Sequence, residues 1–471
     1  MPADASAPMS PATQEVSTWL EGFAAALERG DSRAAAAMFE DDSYWRDLVS
    51  FSWNLVTFEG HAQIQAMLDA RLADVQPTEW RIDGEATSAD GITEAWVHFR
   101  TRVARGYGHL RLRGGRCWTL LTTMRELIGH EEKTGERRIK GAEHGAQRDR
   151  KTWLDRHMQE QDELGITQQP YVLIVGGGQG GIGLAARLRR LGVPTLIIEQ
   201  NARAGDSWRR RYKSLCLHDP VWYDHMPYLP FPDDWPVFTP KDKMGDWLES
   251  YVKVMELNYW GSTTCQRAKF DEAAQTWEVT VKRGRKKLVL RPTQLVIATG
   301  VSGFPSVPQI PGAETFAGTQ HHSSAHPGGE GWVGKPCIVL GSNNSAHDIC
   351  ADLWEHGADV TMIQRSSTHV VRSETLLDIG LGALYSEAAL KNGVTTDKAD
   401  LIFASIPYRL LAAFQVPVYQ AIAERDADFY ARLRKAGFLL DFGEDDSGLF
   451  MKYLRRGSGY YIDVGASELV A

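Results

Sequence analysis

Two short β-branched runs, each broken by a Gly-rich turn and followed by a helical pattern, constrain this chain more than any other feature. The first is Tyr171-Val172-Leu173-Ile174-Val175, running into Gly176-Gly177-Gly178-Gln179-Gly180-Gly181. The second is Cys337-Ile338-Val339-Leu340, running into Gly341-Ser342-Asn343-Asn344-Ser345-Ala346. In the first, Gly176 permits a tight exit from the strand and Gly178 leaves room for a pyrophosphate against backbone N–H groups. Gly181 lets the helix lie close to the sheet. That helix carries Ile182, Ala185, Leu188 and Leu191 on one side and stops at Gly192. The next strand, Pro194 to Ile198, ends in Glu199, the place where an acidic residue bonds a ribose 2′-OH.

In the second turn Asn343 takes the place of the middle glycine and Ala346 that of the last, and Ser345 with Asp348 would also make a capping box. The strand Val360 to Gln364 then ends in Arg365-Ser366-Ser367. An Arg and hydroxyls at that position accommodate a 2′-phosphate and point to NADPH over NADH. Two such units in series predict an α/β chain with two Rossmann-like dinucleotide-binding domains, built to pass electrons between two nucleotides.

The balance of charge narrows the partners. A net charge of −8 implies no general nucleic-acid or acidic-membrane surface. The basic stretch Lys282 to Lys287 lies between two alternating runs and reads as a solvated hairpin turn. The five cysteines are dispersed, without a CxxC pair or metal-ligand spacing, which suits a reducing cytosol. No basic, apolar leader and no run of 18 apolar residues is present, so a cytoplasmic chain outside the membrane is expected.

Ahead of the nucleotide-binding body, residues 1–14 are Pro/Ala/Ser-rich and expected to fray. A helical stripe follows, Val16, Trp19, Leu20, Phe23, Ala24 and Leu27, ended by Gly30. A short helix is expected from Arg33 to Phe39, and a third carries Ile64, Met67, Leu68 and Leu72. The period then switches towards two, through Trp80 to Ile82, Ile92 to Arg100, His109 to Arg113 and Cys117 to Met124. Helices followed by antiparallel strands make an α+β module over 1–130. This order, with Tyr44-Trp45-Arg46-Asp47-Leu48 after the second helix, resembles the NTF2-like (SnoaL-like) cone fold. The resemblance implies a pocket or a homodimer through this module, with Asp41, Asp42, Tyr44 and Asp47 as candidate pocket groups. Residues 131–167 read as a charged linker or surface helix, 168–312 as the first nucleotide domain and 313–471 as the second.

Between the two turns, Leu295 to Gly300 is an apolar strand ending in Ala298-Thr299-Gly300, followed by Pro305, Pro308 and Pro311. Then comes Phe316-Ala317-Gly318-Thr319-Gln320-His321-His322, reaching His326-Pro327. Phe316, Gly318 and His322 at this spacing resemble the fingerprint of class B flavoprotein monooxygenases, the flavin-containing and Baeyer–Villiger enzymes. The Gly205-Asp206-Ser207-Trp208 turn and the run Tyr212, Leu217-His218, Pro230-Phe231-Pro232 are similar to theirs as well.

The resemblance spans residues 168–470 and implies a glutathione-reductase-like pair of domains. FAD would rest on Gly176, Gly178, Gly181, Glu199, Trp208 and Thr299, and NADPH on Gly341, Ser345, Arg365 and Ser366. It further implies that NADPH reduces FAD, which takes up O2 as a C4a-(hydro)peroxide and passes one oxygen to a small organic substrate. His218 and His322 are the catalytic candidates it implies. His326-Pro327 matches neither subfamily, so heteroatom oxygenation and Baeyer–Villiger insertion both stay open. Family members also return to the FAD domain with a second Ala-Thr-Gly strand end, of which this sequence has no copy. Three other readings stand beside this one. A flavin disulfide reductase would need a cysteine pair where only Cys216 lies. The others are a nucleotide-binding protein without oxygenase activity, and catalysis in the N-terminal cone. The stretch Val221 to Tyr228 and residues 400–440 are cavity candidates or plain core.

Overall fold

The computed structural model describes residues 9–142 and 144–471. The N-terminal run is α1 (Pro11–Glu28), α2 (Ser32–Ala36), β1 (Phe39–Leu48), β2 (Leu55–Glu59), α3 (Gly60–Val75), β3 (Thr78–Ala89), β4 (Ile92–Arg100), β5 (Ala104–Arg113) and β6 (Arg116–Leu127). The middle run is α4 (Trp153–Glu163), β7 (Val172–Val175), α5 (Gln179–Arg190), β8 (Thr195–Ile198), α6 (Asp206–Arg209), α7 (Lys241–Val254), β9 (Tyr259–Trp260), β10 (Thr263–Asp271), β11 (Thr276–Arg283), β12 (Lys286–Leu290) and β13 (Gln294–Ile297). The last run is β14 (Pro336–Leu340), α8 (Asn344–Glu355), β15 (Asp359–Ile363), β16 (His369–Arg372), α9 (Ser373–Thr375), α10 (Glu387–Lys391), α11 (Thr396–Ala404), α12 (Tyr408–Arg425), α13 (Ala427–Lys435), α14 (Gly448–Arg456), β17 (Tyr460–Asp463) and α15 (Ser467–Val470). By packing, the chain divides into two units. One holds the residues up to Glu132 with Gly393–Phe414, and the other Lys133–Asn392 with Gln415–Ala471.

The first unit is a six-stranded sheet in the order β2-β1-β6-β5-β4-β3, with β1 parallel to β6 and the other pairs antiparallel. The expectation of fraying to residue 14 fails at Pro11, where α1 begins; the first eight residues lie outside those described. Ser10 caps the Thr13 N–H, and the Thr13 hydroxyl accepts from Ala86 N, so this start is tied to β3. The second helix stops at Ala36, and Phe39 opens β1 because its ring is wanted in the core. That core joins Val16, Phe23, Phe39, Trp45, Phe51, Leu68, Val97, Leu110 and Leu120, all essentially without solvent contact.

The opposite sheet face carries Glu94, His109 and Arg111. Arg111 donates to Glu94 at 2.9 Å and to the Ser405 hydroxyl at 2.8 Å, and Trp118 meets Phe414 at 6.0 Å between rings. The boundaries read from the sequence assign 393–414 to the second nucleotide domain, whereas packing puts it here. A local pattern carries no record of which distant sheet will cover it.

In the second unit, four parallel strands run in the order β13-β7-β8-β9, with α5 and α7 burying Ile182, Ala185, Leu248 and Tyr251 against them. The antiparallel β10-β11-β12 sheet places the basic run at its β11–β12 turn. Within residues 131–167 the surface-helix expectation is met by α4, which has a Thr152–Asp155 capping box and no buried residue, while Leu164 beyond it enters the core with Leu173 and Leu196. β14 and β15 pair in parallel with α8 on one side only, and β16 pairs with β17 over Phe429, Tyr430 and Leu433 of α13.

Candidate functional site

Strand, turn and helix lock together at Gly176. Its φ is +114°, and a Cβ there would lie 2.3 Å from the Ala298 carbonyl at the end of β13. At Gly181 a Cβ would lie 2.0 Å from the Gly176 carbonyl, so the helix seats directly on the turn. Gly178 differs: nothing lies within 4 Å of the position its Cβ would take, which leaves an open cradle in front of α5. Gly178 is also the N-cap residue, and no side chain caps the helix. The α5 N-terminus therefore presents orphan N–H groups and a positive dipole end to that open space.

Glu199, at the C-terminal end of β8, faces the same turn. One carboxylate oxygen accepts from Gly177 N at 2.8 Å, and the other accepts from Asn201 N and Nδ2, each at 2.8 Å. These bonds fix the carboxylate in place and still leave it lone pairs to offer. Thr299 is exposed just past β13. Trp208, on α6, packs against the Met244 and Leu248 core.

The second turn is looser. Gly341 has φ +129°, and the nearest atom to its Cβ position is the Ala346 methyl at 3.7 Å. Asn343 is the N-cap of α8, again without a side-chain cap. The capping box of Ser345 and Asp348 does not form, because Asp348 turns inward to other partners. Arg365 and Ser366 are exposed at the end of β15, beside the strand that leads into Gly341.

Behind this turn lies a buried polar cluster that sequence reasoning saw only in part. The Tyr212 hydroxyl donates to Asp348 Oδ2 at 2.8 Å. His218 Nε2 lies 3.2 Å from the same oxygen, at ion-pair distance but off the line of a hydrogen bond. Burial opposes the charged form of His218, but Asp348, and next Asp219, outweigh it, and the imidazole titrates above its ordinary value. Burial, with Asp219 beside it, pushes the Asp224 carboxyl up to about 8. His347 stacks on Tyr461 at 4.0 Å, and burial holds it down to about 4. Asp348 was legible only as a capping residue, since nothing in a linear pattern marks an inward-turned carboxylate.

His322 is engaged locally: its Nδ1 accepts from the Ser324 N–H at 3.2 Å and contacts the Ser324 hydroxyl at 2.9 Å. The buried histidine of that loop is His326, 3.4 Å from Asp352. In the N-terminal unit, Asp47 accepts from Ser50 N, Phe51 N, Ser52 N and the Ser52 and Thr122 hydroxyls, which commits it to building a loop. Tyr44 donates to Asp42 at 2.8 Å, and Asp41 is solvent-exposed. All five cysteines are free thiols, and among the described residues no cluster of His, Cys, Asp or Glu could hold a metal ion. No single described helix is long and apolar enough to cross a membrane.

Two parallel strand–turn–helix–strand units, with a carboxylate ending one and a guanidinium ending the other, give the second unit an α/β fold. The chain is similar in part to several known proteins. Residues 173–405 match the family model described as pyridine nucleotide-disulphide oxidoreductase. Indole-3-pyruvate monooxygenase YUCCA1 of Oryza sativa subsp. japonica is 36% identical over 209 residues, 44% of this chain and 51% of that protein. Probable indole-3-pyruvate monooxygenase YUCCA3 of Arabidopsis thaliana is 32% identical over 232 residues, 48% of this chain and 51% of that protein. The flavin-containing monooxygenase from Stenotrophomonas maltophilia superposes with a TM-score of 0.39 at 25% identity, over 43% of this chain and 59% of that one. These two plant relatives are named as monooxygenases, and the chain spans about half the length of each.

Proposed function

We propose that the chain is an FAD- and NADPH-dependent monooxygenase that transfers one oxygen of O2 to a small organic substrate, by heteroatom oxygenation or Baeyer–Villiger insertion. The carrying observation is the pair of units whose helix N-termini no side chain caps, with Glu199 and Arg365 at their far strand ends. The residues fit the groups: the open cradle at Gly178 suits a pyrophosphate, and Glu199 suits ribose hydroxyls. Bound flavin supplies the redox and oxygen chemistry. In this reading Gly176, Gly178, Gly181 and Glu199 hold FAD, with Trp208 and Thr299 beside it. Gly341, Ser345, Arg365 and Ser366 hold NADPH, Arg365 meeting the 2′-phosphate. His218 is the buried proton-holding group, and His322 shapes the fingerprint loop.

The disulfide-reductase reading is disfavoured, because Cys216 has no partner thiol and burial pushes its pKa up, away from the reactive thiolate. We read the N-terminal module as an NTF2-like cone in a cytoplasmic protein. A homodimer through it would use a face other than the one bearing Arg111, which residues 393–414 cover.

The test is a visible spectrum after FAD reconstitution, then rapid-mixing reduction by NADPH and NADH. Flavin absorbance and faster reduction by NADPH are expected. Replacing Arg365 by Ala should erase about tenfold or more of the NADPH preference, the size of one lost charge-assisted bond. Absence of flavin absorbance after reconstitution would overturn the reading.

A further inference from the structure

Residues Gly393–Phe414 pack with the first unit, although the chain before and after them belongs to the second. This arm consists of α11 and the start of α12, two helices bent 111° against each other at the break between them. Each end of the arm carries a residue that loosens the backbone. Gly393, just past the Asn392 cap of α10, turns the chain with φ +81°, and nothing lies within 4 Å of its Cβ position. At the other end α12 continues across the boundary between Phe414 and Gln415, and Pro417 lies inside it. Proline has no N–H to donate, so the helix bond to the Ala413 carbonyl, which would bridge that boundary, is absent.

What holds the arm down is largely polar. The Ser405 hydroxyl, at the end of α11, accepts from Arg111 Nη1 at 2.8 Å and donates to the Ile402 carbonyl at 2.6 Å. Arg111 also donates to Glu94 at 2.9 Å and to Thr119 at 3.3 Å, so the sheet fixes it without the arm. Arg409 pairs with Glu59 of β2 at 3.2 Å, and its side chain is 71% exposed. Lys398 stands 5.9 Å over the Trp96 ring, and Phe414 meets Trp118 at 6.0 Å. Of the arm's side chains Ala399, Ser405, Pro407 and Leu411 are buried, while Leu401, Ile402, Phe403 and Ile406 are half-buried. By contrast α13 sinks Phe429, Tyr430 and Leu433 into a core. Exposed ion pairs contribute little, and a segment with few buried apolar groups opens before the rest unfolds. The sheet under the arm is braced on its own account: Trp96 stacks on Tyr107 at 5.2 Å, and Tyr107 donates to Asp83 at 2.7 Å.

We propose that Gly393–Phe414 is a hinged clasp, which lifts from the N-terminal sheet as one piece while both cores stay folded. It turns at Gly393 and at the weakened stretch of α12 before Pro417. Lifting uncovers the face built by Trp96, Tyr107 and Arg111, an aromatic surface with a guanidinium fixed beside it. The Arg111–Ser405 bond is the catch. When it opens, Arg111 keeps Glu94 and Thr119, and the Ser405 hydroxyl keeps the Ile402 carbonyl. One hydrogen bond is exchanged for water, and no buried group is left bare by its loss.

The experiment is native-state hydrogen exchange of the full chain, read by mass spectrometry of its peptides. Amides of α11 and of residues 408–414 should exchange together, about 100-fold or more faster than those of β4 and β5. Ser405→Ala should raise exchange in the arm by about tenfold or more, the size of one lost charge-assisted bond, and leave β5 and α13 unchanged. Pro417→Ala restores a backbone donor at the hinge and should slow arm exchange by about threefold or more. If Ser405→Ala does not fold, Arg409→Ala takes its place and should raise exchange in the arm alone, by about two- to fivefold. Equal protection of α11 and β5, with the Ser405 variant moving both, would make the arm part of the sheet's own core and overturn the proposal. An arm that exchanges in step with α13 overturns it too. So does one that the Ser405 and Arg409 variants leave unmoved, or one that Pro417→Ala does not slow.

Discussion

The two nucleotide turns share a plan and differ in their support. The first leaves β7, an inner strand of a four-stranded parallel sheet, where Val172, Leu173 and Ile174 are all buried. The second leaves β14, one of only two paired strands, where Ile338 is 66% exposed, Leu340 55% and Ile363 on β15 45%. Parallel strands ordinarily need cover on both faces. The first turn is therefore held by backbone at Gly176 and Gly181, whereas the second rests on one helix and a side-chain cluster. A dinucleotide motif is local, but its rigidity comes from what lies beside it.

The largest contrast should come from the turn glycines. Gly181→Val drives a side chain into the Gly176 carbonyl and should abolish the folded second unit or flavin retention. Gly341→Ala meets no close backbone and should cost about 1–3 kcal/mol through its positive φ alone. Thermal unfolding followed by circular dichroism separates the two, and equal losses would break the comparison.

The sheet faces give the next contrast. Ile174→Ala, from a fully buried site, should destabilise by about 3 kcal/mol, and Ile338→Ala, from an open face, by about 0.5 kcal/mol or less. Denaturant titration measures both. A large loss at Ile338 would mean that its face is covered in solution.

Acid should weaken the second unit through His347 and His369, each held down to about 4 by burial. Below the unfolded pKa of about 6.5 the unfolded chain binds protons that the native state refuses. Stability is therefore lost as pH falls from about 6.5 towards 4, by about 2 kcal/mol per histidine at pH 5. His218 acts in the opposite sense: its raised pKa adds stability at low pH that disappears as pH rises through the folded value. Melting midpoints across pH 4 to 8, compared with His347→Gln and His369→Gln, should show a flatter acid limb in the variants.

Much of the first nucleotide unit was legible from residue order, because a turn glycine, a helix stripe and a strand-end carboxylate are all set within about thirty residues. Glu199 facing the turn and Gly178 in open space follow from that spacing. The short helix 33–39 was overrun because Phe39 is drawn into the aromatic core of the sheet. Residues 131–167 read as charged surface, yet Leu164 is core, a single apolar side chain too sparse to register as a pattern.

What the amino-acid order determined by itself is what short-range geometry determines: the strands, the two turns, the N-terminal helix stripe and the polar residues at strand ends. Tertiary structure alone decided that Gly393–Phe414 closes over the N-terminal sheet, that Asp348 leaves its expected cap for Tyr212 and His218, and that one face of β14 and β15 stays open. The reason is physical. Such choices compare the burial and charge of groups hundreds of residues apart, and that comparison exists only once the chain has brought them together.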